Sequence, residues 1–168
     1  LWRISDALEP LQEMAAKLLA TGLGNYLTVP HSFLAMSRES IYLKEHVHEG
    51  QTDTRAHIVP GKHKYLFVYP FVKTRDWYRL TLPARQGIMN EHIQVGHKYP
   101  RVKLNTAYSF GLDDQEFVLA FETDHPTDFL DLVMELRGTE ASHFTLRDTP
   151  IFTCIHGSID QVLNLLGG

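Results

Sequence analysis

An imidazole, a phenol and an ammonium stand out among the side chains of this sequence that could do chemistry. His92 shares a helical face with Ile88, Val95 and Gly96, at spacings i, i+4, i+7 and i+8, so its ring turns inward with an apolar stripe. An inward histidine has two readings: a core residue satisfied by a neighbouring acceptor, or a ligand to a metal. Gly96 bears on the choice. A missing side chain one turn along leaves room for a flat macrocycle whose iron an axial imidazole can hold, although a helical glycine costs about 1 kcal/mol against alanine. Tyr69 and Lys73 lie on one strand face about 13 Å apart, so a phenol and an ammonium can address different parts of one large ligand. The plainer alternative is an aromatic face packed on helices, with Lys73 reaching past its end to water. His46 and His48 resemble a metal pair without clear partners. There is no nucleophile elbow, phosphate loop or dinucleotide-binding glycine pattern.

The elements that must hold these residues follow from periodicity. Lys64–Lys73 is a strand that puts Tyr65, Phe67, Tyr69, Phe71 and Lys73 on one face, and Pro70 within it suggests a sheet edge or a bulge. A helix from about Pro83 to His97 carries His92. Val102–Phe110 and Glu116–Glu122 are strands joined by a turn at Gly111–Asp114, and Pro126 opens a helix with an apolar stripe of Phe129, Leu132, Val133 and Leu136. A last strand spans Phe144–Ile155, ahead of a short tail helix. The order β-α-β-β-α-β, with both helices obliged to cover one face of an antiparallel sheet, is ferredoxin-like.

Before residue 64 the pattern is a partial copy of the same order. Leu1–Ile4 reads as a strand end, Asp6 as a helix cap ahead of Leu8, Leu11, Met14, Ala15 and Leu18, and Ser32–Leu43 as a strand. Residues 44–63 hold four of the ten histidines with little periodicity and read as a linker. The expected organisation is α+β: a partial N-terminal ferredoxin-like unit over 1–43, the linker 44–63, and a C-terminal ferredoxin-like unit over 64–168. The two sheets are expected to join into a barrel-like whole. The chain starts inside an apolar stretch without an initiator Met, so further residues are expected to precede Leu1.

Composition removes other classes. A net charge of −4 without a basic stripe argues against nucleic-acid binding, and no apolar run approaches the roughly 20 residues of a membrane span. The single cysteine, Cys154, suits a reducing compartment and a cytoplasmic location.

From Arg55 to Ser142 the chain resembles the superfamily of chlorite dismutases and coproheme decarboxylases, and Leu8–Tyr42 resembles the second half of that family's N-terminal domain. The resemblance rests on Tyr69-Pro70 with Lys73, Trp77-Tyr78, Glu91-His92 with Gly96-His97-Lys98-Tyr99, Gly111-Leu112-Asp113-Asp114, and Glu140-Ala141-Ser142. It implies a dimeric α+β barrel whose first unit is incomplete here, binding haem b or coproheme, in a homo-oligomer that is commonly a pentamer. His92 then matches the proximal iron ligand and Glu140 the acidic partner of its other ring nitrogen. Tyr69 resembles the tyrosine that decarboxylases oxidise to a radical, and Lys73 its neighbouring lysine. Arg55 and Ser142 resemble propionate-binding groups, and Trp77 a tryptophan near the haem edge.

One position departs from the pattern. Where chlorite-splitting members carry a distal arginine, and many decarboxylases a glutamine, the matching residue is Leu104, or Asn105 in a shifted alignment. Strand alternation favours Leu104, which cannot donate to a bound oxyanion. The resemblance therefore implies peroxide-dependent decarboxylation of coproheme to haem b. Chlorite decomposition to chloride and oxygen, and non-catalytic haem carriage or sensing, are the alternatives.

Overall fold

The structure is a computed structural model that describes residues 1–42, 57–61, 63–165 and 167. Two compact units divide it, Leu1–Ser32 and Phe33–Gly168.

The first unit is built on helix α1, Leu8–Leu19. Its N-cap is Ala7 and not Asp6, and no side chain caps it. Its apolar positions Leu8, Met14 and Leu19 stay exposed. A 3₁₀ turn, Leu23–Tyr26, follows. Gly24 is required there, since a Cβ would stand 2.1 Å from the Leu19 carbonyl oxygen. The strand expected at Leu1–Ile4 does not form.

Ser32–Leu43 is likewise no regular strand over its described residues: one bridge, Met36 to Tyr108, is its only ladder contact among them. From Phe33 onward these residues group with the second unit, and Leu34 bonds its polar backbone there. Leu34 donates its N–H to the Asp113 carboxylate at 2.7 Å, and its carbonyl accepts from the Ser109 hydroxyl. The compact boundary thus lies at 32/33, earlier than the 43/44 division read from the sequence.

In the second unit the chain runs through β1 (Tyr65–Lys73), α2 (Arg75–Arg79), α3 (Leu82–His97), β2 (Lys103–Tyr108), β3 (Phe117–Thr123), α4 (Pro126–Arg137) and α5 (Glu140–His143). Strands β4 (Thr145–Arg147) and β5 (Phe152–Ile155) and helix α6 (Ile159–Leu165) complete it. The antiparallel sheet has the order β2-β3-β1-β4, with β5 also on β1. This is the ferredoxin-like order, so the α+β expectation is met. The single last strand of the sequence reading is two short ones, interrupted around a cis Thr149–Pro150 bond.

That interruption explains Pro70, which lies on a central strand and not on an edge. Phe71 accepts the Glu116 N–H on the β3 side. Alternation therefore turns the backbone nitrogen of residue 70 the other way. There β5 pairs only up to Val68 and β4 begins at Val72, so no ladder hydrogen bond is lost.

One sheet face carries the core. Phe67, Tyr69 and Phe121 pack with Val95 of α3 and Phe129 and Leu132 of α4. Phe67 stacks on Phe129 with centroids 4.1 Å apart. α3 is fastened at its C-terminal end: the Tyr99 hydroxyl donates to Glu135 at 3.0 Å, and Lys98 pairs with the same carboxylate. Arg101 grips Asp128 of α4 through two bonds of 2.7 and 2.8 Å. Of α3's own residues only Val95 is fully buried.

Candidate functional site

Helix α3 starts on Thr81, whose hydroxyl accepts the Ala84 N–H, with Pro83 in its first turn. It delivers His92 as a half-buried ring whose Nδ1 is shut off from solvent and has no hydrogen-bond partner among the described residues. Burial, helped by the nearby Lys73 ammonium and opposed by Glu91, pushes the imidazole down to about 4. His92 is therefore neutral at neutral pH, the form that ligates a metal. A Cβ added at Gly96 would meet nothing within 4 Å, so the space beside the ring on this stripe is open.

The expected partner of Nδ1 is not in place. Glu140 is exposed, and it is its backbone N–H that is used, donating to Glu91 Oε2 at 3.1 Å. Glu91 thus joins α3 to the start of α5, and the Glu140 carboxylate is left free of His92.

Strand β1 supplies the opposite side. Tyr69 is buried and lies parallel to Phe121, with centroids 5.8 Å apart. Burial, reinforced by Asp148 and relieved partly by Arg137, drives its phenol above the ordinary range, so it stays protonated. The aromatic face does pack on the helices, but Lys73 is only 8% exposed and does not reach past the sheet to water, so that part of the plainer alternative fails. Its Nζ donates to the Ala141 carbonyl at 2.8 Å and lies 4.6 Å from the centre of the Trp77 ring. Burial lowers this ammonium to about 8, against the opposing pull of Glu116.

Trp77, on α2, is 2% exposed and packs against Phe144 and Tyr42. Ser142 uses its hydroxyl to donate to the Arg137 carbonyl at 2.8 Å, closing the end of α4, and keeps its lone pairs for a further donor. Leu104 lies opposite Phe121 on the face turned to the helices and is 44% exposed. Asn105 faces the other way, its amide donating to Glu122 at 2.8 Å and to the Ala120 carbonyl at 3.3 Å. Arg55, His46 and His48 lie outside the described residues.

Sequence reasoning missed Glu116, the Ala141 carbonyl and Tyr42. Each lies far along the chain from the residue it touches and leaves no local spacing signal. A groove of about 420 Å³ between α3 and α4 is lined by Glu91, Gln94, Lys98 and Glu135 among others. His92, Tyr69 and Lys73 do not line it, so side-chain chemistry and not hollow volume locates the site. Among the described residues no three His, Cys, Asp or Glu side chains are grouped to hold a bare ion. One neutral imidazole with an open flank suits a metal that arrives with its own ring of donors.

Residues 1–157 match the family model described as Chlorite dismutase. The chain belongs to the chlorite dismutase family. It is 31% identical over 164 residues to a coproheme decarboxylase of Mycolicibacterium smegmatis, covering 97% of this chain and 68% of that protein. With the coproheme decarboxylase of Staphylococcus carnosus it shares 26% over 152 residues, covering 84% and 61% respectively. Among solved structures, a chlorite dismutase variant from Candidatus Nitrospira defluvii superposes with a TM-score of 0.84 at 26% identity, over 98% of this chain and 70% of that one. A heme-binding protein from Thermus thermophilus gives 0.83 at 25% identity, over 96% and 68%. The chain thus spans roughly two thirds of the length of these family members.

Proposed function

We propose that this protein is a haem-dependent oxidoreductase that decarboxylates the propionates of coproheme to give haem b, with hydrogen peroxide as oxidant. The observation that carries the reading is the pairing of a neutral, unpartnered imidazole at His92, beside the open flank of Gly96, with the buried phenol and ammonium of Tyr69 and Lys73. The names of the curated family members support the substrate.

His92 would hold the iron through its neutral ring. Lys73, with Arg55 from the linker, would grip carboxylates, Lys73 as an ammonium below about pH 8; Ser142 would join them only once its hydroxyl turns from the Arg137 carbonyl. Trp77 would wall the porphyrin edge and hold Lys73 by its ring face. The bound iron supplies the oxidising power that peroxide delivers. Balance requires that each of the two reacting propionates lose carbon dioxide and become a vinyl group while one hydrogen peroxide and one proton become two waters. Tyr69 is suited to relay oxidation because burial keeps its proton on Oη until an electron leaves. Glu140 would serve His92 only after its carboxylate turns from solvent toward Nδ1.

Leu104 favours this reading over chlorite decomposition, since an alkyl group at that position offers no donor to an oxyanion. The test is to add ferric coproheme to the purified protein, follow the Soret band, then add peroxide and weigh the porphyrin. Stepwise loss of two carboxyl groups is expected, and an unchanged mass overturns the proposal. Tyr69→Phe should bind coproheme but leave it unconverted; a carrier would lose nothing by that change. Oxygen release from chlorite should be negligible.

No described helix is long and apolar enough to cross a membrane. A cytoplasmic location and a homo-oligomeric, pentameric assembly belong to the same proposal, and light scattering measures the second.

A further inference from the structure

Lys73 stands where regular strand pairing gives out. β3 begins at Phe117, opposite Phe71, and the pairing of β1 with β4 shifts register between Val72 and Lys73. Odd-numbered residues of β1 turn their backbone groups toward β3, so the Lys73 N–H points past the end of that ladder. A side chain takes the place of the missing acceptor: Glu116 Oε2 receives the Lys73 N–H at 2.8 Å.

The same oxygen accepts the Tyr78 hydroxyl at 2.5 Å, while Arg75 Nη1 stands 3.9 Å from Oε1. Glu116 itself is 9% exposed and is anchored at both main-chain groups, its N–H on Phe71 and its carbonyl on Ser109. A carboxylate this buried is costly unless its lone pairs are filled, and here the end of β1 and helix α2 fill them together. α2 is the helix of Trp77, whose ring lies against the Lys73 ammonium. One carboxylate thereby joins the strand that aims Lys73 to the helix that walls it.

We propose that Glu116 is the positioning residue of this site: it clamps Lys73 and α2 together, so that the ammonium is held in register to receive a substrate carboxylate. The inference rests on the reading of Lys73 as a propionate-binding group, which the experiment can separate from the clamp itself.

The variants are Glu116→Ala, Glu116→Gln and Tyr78→Phe. The first readout is acetylation of Lys73 in the porphyrin-free protein, by peptide mass, relative to the exposed Lys17 in the same sample. Loss of a charge-assisted bond should speed Lys73 labelling about tenfold in Glu116→Ala. Glu116→Gln keeps an acceptor oxygen and should recover most of the protection, with Tyr78→Phe in between. The second readout is steady-state conversion of coproheme well below the melting temperature, where KM should rise more than kcat falls, in the same order of variants.

Labelling and KM at wild-type values in a folded Glu116→Ala overturn the proposal. Should that variant fail to fold, unchanged labelling in both Glu116→Gln and Tyr78→Phe overturns it equally. A wild type that binds but never converts coproheme sinks the functional reading instead, and the labelling ratios still decide the clamp.

Discussion

The strand side and the helix side of this site are built to different standards. On β1, Tyr69 and Lys73 are buried, their neighbours are packed aromatics, and the Lys73 polar groups are bonded at both ends of the residue. On α3, His92 is half-buried, its Nδ1 has no partner among the described residues, and the stripe ends in open space at Gly96. The first side is complete as it stands. The second has desolvated an imidazole without satisfying it, an arrangement that costs stability and fits a ligand that would repay it. The contrast locates preorganisation in the sheet and recognition of the metal in the helix.

The sharpest way to break the strand side is Phe121→Ala, which removes the ring that supports Tyr69 and closes the core. It should cost about 3–5 kcal/mol, read as a lower denaturant midpoint. An effect under about 1 kcal/mol would mean that the sheet face is not the rigid half.

Acid tests the helix side. The folded imidazole of His92 is lowered to about 4 from an unfolded value near 6.5, so the unfolded chain takes up the proton first. This group's contribution is therefore constant above about pH 6.5 and is lost as pH falls toward 4, by roughly 3 kcal/mol at most. Urea titrations of the porphyrin-free protein should show that slope, and His92→Gln should flatten it.

Removing the imidazole in His92→Ala should weaken ferric coproheme binding by about a hundredfold or more, beyond what loss of a supporting residue costs a metal site. Stability at pH 7 should change little. A Soret titration identical to wild type would move the iron site elsewhere. The smallest effect sharpens the contrast most. Gly96→Ala should fold without a clash and gain up to about 1 kcal/mol from helix propensity, yet bind coproheme more weakly if that opening receives the ring. Equal binding would show that the opening is incidental.

Periodicity within single elements was legible before any folding. The odd face of β1, the stripe of His92 and Gly96, and the choice of Leu104 over Asn105 for the helix-facing side all follow from alternation or helical spacing, which the backbone imposes locally. Partner choice was not legible. Lys73 meets Ala141 across 68 residues and Glu116 across 43. Ser142 spends its proton on a helix end, Glu140 stands in solvent, and Pro70 survives mid-sheet because a neighbouring strand breaks beside it. A buried donor or acceptor takes whatever group the packed chain brings within about 3 Å, and only the tertiary structure decides which group that is.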